Sequence, residues 1–170
     1  MDNTQEKILA ALRSAMEAEM TGYHFYSNAA QTTEDPQGKA TFQRLAEEEL
    51  LHFNYLKKQY GSILKTGAFD LSAPLAADPP DAASGPIFSP QLRARIKQSH
   101  FEISALSIGM QLELNAVNFY RKCAAESDNP EVKKLFQQLT EWEQGHYDGF
   151  ARELDELKED YWQANNFVPM

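Results

Sequence analysis

Six side chains carry the chemistry this sequence can do: Glu19, Glu49, His52, Glu113, Glu143 and His146. They form two matched sets. In each, a lone Glu is followed thirty residues later by Glu-x-x-His, and the sets lie 94 residues apart. The match extends beyond them without a gap: Ala11-Leu12, Met16, Phe25-Tyr26, Pro36 and Phe42 return as Ala105-Leu106, Met110, Phe119-Tyr120, Pro130 and Phe136. A single Glu-x-x-His usually decorates a solvated helix face. Two of them, each preceded by a Glu at the same offset inside an internal repeat, describe a paired metal site bridged by carboxylates between helical hairpins. Four carboxylates and two imidazoles suit iron, manganese or zinc better than copper or calcium.

The residues around the six explain how they would be positioned. Apolar side chains recur at alternating steps of three and four, the spacing of one helical stripe. This predicts four long helices, at residues 4–33, 36–64, 90–127 and 130–161. Their stripes run through Leu9, Leu12, Met16, Glu19, Tyr23, Tyr26 and Ala30; Phe42, Leu45, Glu49, His52 and Leu56; Ile103, Leu106, Met110, Glu113, Val117, Tyr120 and Ala124; and Phe136, Leu139, Glu143, His146 and Phe150. All six candidate ligands lie on these apolar stripes. Unpaired carboxylates there would each cost roughly several kcal/mol, so a compensating charge is required. Two divalent cations balance four carboxylates. Glu49 and His52, three residues apart, project from one face, as do Glu143 and His146. Glu19 precedes its turn by about as many residues as Glu49 follows it, which puts them at one level of a hairpin at about 1.5 Å per residue.

The turns Glu34-Asp35-Pro36 and Asp128-Asn129-Pro130 offer an N-cap followed by proline in the first helical turn. Helices one and two, and three and four, are therefore expected to form antiparallel hairpins. Residues 66–89, with Pro74, Pro79, Pro80 and Pro86, are expected to form a long crossover rather than helix. Residues 162–170 are expected to be a short tail that Trp162 and Phe167 dock. The fold class expected is all-α: an antiparallel four-helix bundle of two hairpins, with residues 1–170 a single domain.

Bulk composition narrows the partners. The 170 residues include 16 Lys+Arg against 25 Asp+Glu, a net charge of -9, which argues against nucleic acid. No run of about 18 apolar residues is present, so no membrane span or membrane partner is expected. The first fifteen residues are polar and charged, unlike a signal peptide. Cys123 is the sole cysteine, which excludes an internal disulfide framework and fits a cytoplasmic location.

Other residues are assigned more modestly. Tyr23, Tyr26 and Tyr120 share the stripes of Glu19 and Glu113. They either hydrogen-bond those carboxylates or, as is more usual for stripe aromatics, tie their hydroxyls to some nearby group. Glu17 and Glu48 lie off the stripes, opposite Gln111 and Trp142 in the repeat, and are read as surface or supporting groups. His24, His100 and Cys123 are read as structural.

The paired sets, and the stretch Glu47-Glu48-Glu49-Leu50-Leu51-His52 in particular, resemble the rubrerythrin-like branch of the ferritin-like superfamily. The resemblance covers most of residues 5–160. It implies a di-iron carboxylate centre with Glu49 and Glu143 bridging two iron ions, Glu19 and Glu113 as terminal carboxylates, and His52 and His146 as terminal imidazoles; no further catalytic residue is implied. It also implies an oxidoreductase that reduces peroxide or oxygen in oxidative-stress defence. Three departures matter. One cysteine cannot supply the four of a rubredoxin-like domain, so the electron donor is expected to be a separate protein. Ala116 stands where such proteins carry an extra Glu, three residues after the third-helix ligand. Leu50 stands where a bacterioferritin would place its haem-binding Met. A homodimer is expected. The alternatives are an iron-storage ferroxidase and a bundle holding a non-catalytic metal.

Overall fold

The computed structural model describes residues 3–70, 72, 75 and 85–164. Among them there is no strand, and the chain is all-α. Helix α1 spans Asn3–Thr32 and α2 spans Pro36–Thr66; α3 is short, Pro90–Ala94; α4 spans His100–Glu126 and α5 spans Pro130–Ala164. A 3-10 turn at Ile96–Gln98 links α3 to α4.

Local chemistry sets these boundaries. Asp35 caps α2 by accepting from the Gly38 N–H at 2.8 Å, and Pro36 occupies the first helical turn. Asn129 Oδ1 accepts from the N–H groups of Glu131 at 2.9 Å and Val132 at 3.3 Å. Gly67 ends α2 with φ 76°, a left-handed conformation that glycine adopts freely, and returns its N–H to the Ile63 carbonyl. The three-residue turn at 33–35 makes α1 and α2 a hairpin, and that at 127–129 makes α4 and α5 another. The two helices of each hairpin pack along one another, and α1 also packs on α4.

Two expectations need correction. The third helix is not continuous from 90 to 127. Mirrored through the 127–129 turn, residue 93 of an unbroken helix would stand roughly 10–15 Å beyond Glu156 and Glu153 of α5. The break folds α3 back, so that Arg93 reaches Glu153 at 2.8 Å and Glu156 at 2.7 Å and Leu92 enters the core. The fourth helix does not end at 161 but runs through Ala164. Of the expected crossover at 66–89, residues 71, 73, 74 and 76–84 lie outside the described residues, as does the expected docking of Trp162 and Phe167.

The ends of the crossover are held by repeat-equivalent residues. Gln59 of α2 is buried and clamps Asp70, donating to its carbonyl at 3.0 Å and accepting from its N–H at 2.9 Å. Ninety-four positions on, Glu153 of α5 is buried and accepts from the N–H of Ile87 at 2.7 Å and of Phe88 at 3.3 Å. The chain leaves and re-enters the helices under matching side chains.

The apolar core has two parts, and each draws on both hairpins. One gathers Tyr26, Phe42, Leu45, Phe88, Leu106 and Phe150; the other gathers Leu12, Leu56, Tyr120, Phe136 and Leu139. No described helix is long and apolar enough to cross a membrane.

Candidate metal centre

The ligand candidates belong to neither apolar part. Glu19 of α1, Glu49 and His52 of α2, Glu113 of α4, and Glu143 and His146 of α5 are each no more than 4% exposed. The structure brings all six together in two overlapping groups. In each, one ligand atom per residue lies within 4.8 Å of every other: Glu19, Glu49, His52 and Glu143 form one group, and Glu49, Glu113, Glu143 and His146 the other. Glu49 and Glu143 belong to both. The hairpin geometry dictates this level. Mirroring Glu19 through the turn at Glu34 lands on Glu49, and mirroring Glu113 through Asp128 lands on Glu143.

Both histidines turn Nδ1 into the cluster. His52 Nδ1 lies 3.2 Å from Glu19 Oε2 and 3.3 Å from Glu143 Oε1. His146 Nδ1 lies 3.2 Å from Glu143 Oε2, 3.7 Å from Glu113 Oε2 and 4.0 Å from Glu49 Oε1. One imidazole N–H satisfies one acceptor, yet each nitrogen faces two or three carboxylate oxygens from different helices. That arrangement suits a coordination sphere better than a set of hydrogen bonds.

Tyrosines aim the outer carboxylates. The Tyr26 hydroxyl donates to Glu113 Oε1, and the Tyr120 hydroxyl donates to Glu19 Oε1. The pairing is repeat-symmetric and crosses from α1 to α4 and back. Each tyrosine ring is stacked within its own hairpin, Tyr26 on Phe42 and Tyr120 on Phe136, with centroids 6.3 and 5.8 Å apart. One oxygen of each terminal Glu is thus occupied, and the other is left for the centre. Tyr23 makes no such bond.

The electrostatics show how hard this cluster is to bury. Burial, then the charges of Glu143, Glu19 and Glu113, hold the Glu49 carboxyl well above its usual range. Burial and Glu143 push Glu113 up to about 8. Burial also opposes ionisation of Glu143, but hydrogen bonds from His146 and His52 outweigh it and hold that carboxyl below the usual range. Burial disfavours charged imidazole, yet the surrounding carboxylates win, raising His52 to about 10 and His146 well above its ordinary value.

The fit to metal is tested by what is unsatisfied. Glu49 Oε1 is buried and has no hydrogen-bond partner, and the buried Glu143 Oε1 has only the long approach of His52 Nδ1 at 3.3 Å. They sit on the two carboxylates common to both groups, where a pair of cations would need extra donors. A buried orphan acceptor costs about 1–3 kcal/mol, more when charged. Oxygen and imidazole donors with two poorly satisfied carboxylate oxygens between them fit a pair of divalent ions of the iron, manganese or zinc class.

A cavity of about 290 Å³ opens beside the cluster between α1 and α4. Exposed Ser14, Thr21 and Asn115 line it along with buried Glu19, Glu49 and Glu113, so it joins the surface to the carboxylates. Two small residues in its wall, Gly22 and Ala116, are repeat-equivalent. A Cβ on Gly22 would lie 2.6 Å from Glu49 Oε2, so the absence of a side chain there makes room for that carboxylate.

Sequence reasoning left Glu48 unresolved between surface and support. It is buried, and its Oε2 lies 2.9 Å from His146 Nε2, while its Oε1 accepts from Arg44 at 2.8 Å. The i to i+4 spacing of Arg44 and Glu48 was the available signal. Glu17 is exposed. His24 and His100 are also exposed, and neither belongs to the cluster. Cys123 is partly buried, and burial first, then Glu126, lifts its thiol to about 11, as suits a packing residue rather than a nucleophile.

Neither a curated protein nor a solved structure matches the chain. A family model does: Rubrerythrin, over residues 84–158, a span that contains Glu113, Glu143 and His146. A buried carboxylate and histidine cluster and this match together fit a di-iron carboxylate protein. Over residues 84–158 the chain is similar to the Rubrerythrin family.

Proposed function

We propose that this chain is a non-haem di-iron oxidoreductase that reduces hydrogen peroxide or oxygen. The observation that carries the reading is that Glu49 and Glu143 each belong to both ligand groups, the arrangement needed to hold two ions side by side. In this reading Glu19, His52 and the two shared carboxylates hold one iron; Glu113, His146 and the same two hold the other. Two ferrous ions supply the two electrons that, with two protons, take hydrogen peroxide to two waters.

The protein's own part is positional. Tyr26 and Tyr120 fix one oxygen of each terminal carboxylate, so the inward oxygen keeps its place as charge changes at the centre. Apolar core clusters are built on both sides of the centre, and the cavity between α1 and α4 reaches its carboxylates. That cavity admits a molecule the size of oxygen or peroxide, and its small wall residues, Gly22 and Ala116, keep it open. Ala116 also means that no carboxylate three residues beyond Glu113 can exchange with a histidine during turnover.

A separate electron-donor protein belongs to the same proposal. The ferritin-like four-helix arrangement, a homodimer and a cytoplasmic location are parts of the same proposal. The deciding experiment loads metal-free protein anaerobically with two ferrous ions per chain, adds hydrogen peroxide with a reductant and follows its consumption. Many turnovers per chain support the reading. One oxidation per iron pair, with further iron accumulating in a large assembly, favours storage. Zinc retained in preference to iron, with no peroxide consumed, makes the metal structural and overturns it.

A further inference from the structure

The repeat that builds the centre is broken at a position in contact with its histidines. Position 48 of α2 and position 142 of α5 are equivalent, but one is Glu and the other Trp. Each faces the histidine of the opposite hairpin. Glu48 Oε2 lies 2.9 Å from His146 Nε2, and Arg44 holds its other oxygen at 2.8 Å. Trp142 packs T-shaped on His52, with ring centroids 4.8 Å apart at 86°. His52 Nε2 is buried and has no hydrogen-bond partner.

We infer that the two cation positions are unequal, and that Glu48, a positioning residue acting through His146, makes the His146 position the tighter one for a divalent ion. The inference rests on the two-ion reading above and deepens it. Both histidines present Nδ1 to the centre, so ligation through Nδ1 leaves the ring proton on Nε2. At His146 that proton has a carboxylate to receive it, which fixes the tautomer, orients the ring and makes Nδ1 a better donor. At His52 the same proton is buried against an indole and pays its desolvation unrelieved. Arg44, partly exposed on α2, holds Glu48 in place from outside the cluster. Carboxylates placed behind a metal-bound histidine commonly change affinity about 10–100-fold, and the expected ratio of the two constants lies in that range.

The test loads metal-free crystals with one equivalent of cobalt(II) per chain and measures anomalous occupancy at each position. Competition against a chromophoric chelator in solution gives the two constants. In the wild type, the first ion is expected beside Glu113 and His146, at an affinity at least tenfold above the second. Glu48→Gln keeps size and an acceptor but loses the charge, and is expected to weaken that position at least tenfold and equalise the occupancies. Arg44→Gln, which does not open the core, moves the ratio the same way by a smaller factor and serves if Glu48→Gln fails to fold. Equal occupancies in the wild type, a first ion beside His52, or a Glu48→Gln effect spread evenly over both constants would each overturn the inference while leaving two ions bound. Cobalt bound at neither position sinks the dinuclear reading itself.

Discussion

Replacing Gly22 by alanine separates metal binding from folding. Gly22 lies mid-helix, where alanine is ordinarily better by about 0.8–1 kcal/mol. The added Cβ, however, would stand 2.6 Å from Glu49 Oε2 and 2.9 Å from Glu49 Cδ. Ordinary contact begins at 3.4 Å, so the carboxylate must retreat by about 0.8 Å. Metal–oxygen distances tolerate about 0.2 Å. Glu49 is buried against Glu143, Glu19 and Glu113, so it has nowhere to move without leaving a ligand group. In metal-free protein no ion holds the carboxylate at a fixed distance, so the same movement carries no coordination penalty. The variant is therefore expected to melt about 2–4 °C higher than wild type when metal-free, from the propensity gain in a chain of this size. Its affinity for at least one divalent ion is expected to fall tenfold or more. Thermal melts by circular dichroism in chelator and calorimetric titration with zinc or anaerobic ferrous iron read the two effects independently. Undiminished affinity at both positions would refute the claim that the missing side chain at residue 22 is what seats Glu49.

Glu49→Ala or Glu143→Ala should each lose at least one bound metal, measured by elemental analysis after dialysis; full occupancy in both variants would contradict their shared role. Tyr26→Phe and Tyr120→Phe each remove a buried hydrogen bond to a carboxylate, at a cost of about 1.5–3 kcal/mol. They should broaden or shift the visible spectrum of the iron-loaded protein, with Tyr26→Phe acting through Glu113 and Tyr120→Phe through Glu19. Glu153→Ala leaves the buried N–H groups of Ile87 and Phe88 without their acceptor, while Arg93 keeps Glu156, and should destabilise the fold by about 2–4 kcal/mol in denaturant titration. The metal-free protein should lose stability as pH rises. Glu113, at about 8 against an ordinary 4.5, and His52, at about 10 against 6.5, hold protons more tightly when folded. Their stabilisation is complete below the ordinary values and disappears as pH passes 8 and 10. The slope between pH 6.5 and 8 reaches about 1.4 kcal/mol per pH unit for each proton so held, and denaturant midpoints across that range check the sign.

The convergence of the six side chains was legible because they obey two periodicities at once, helical spacing and the 94-residue repeat. Turn chemistry at Asp35 and Asn129 then fixed the hairpins and hence the level at which the six side chains meet. What escaped depends on distances between hairpins. Helix α3 breaks away from α4 because Arg93 is captured by acids on α5, an attraction that no local propensity around Ile96 announces. The tyrosines proved to serve the opposite hairpin's carboxylate, whereas the stripe alone placed them near their own. Gly22 reads as replaceable, since its repeat mate is Ala116, until the Glu49 carboxylate is seen against it. Glu48 was off the stripe by sequence, yet the long side chain reaches across to His146.

Four carboxylates buried together pose a problem before any metal arrives, and the shifts at this centre indicate how the fold tolerates it. If both imidazoles and the two carboxyls held upward, Glu49 and Glu113, keep their protons, two positive charges meet two negative ones and the cluster is neutral. With two divalent ions, four carboxylates and neutral imidazoles it is neutral again. Folding and metal capture are then separable, unlike a zinc finger, where the metal supplies the folding energy. The hairpins can close on a protonated cluster, stabilised by the apolar layers on either side, and the ions later enter by displacing protons through the cavity at α1 and α4. Glu143 is the exception that organises the exchange. Hydrogen bonds from both histidines keep it ionised, so it presents a shared carboxylate already charged for the first ion to reach the centre.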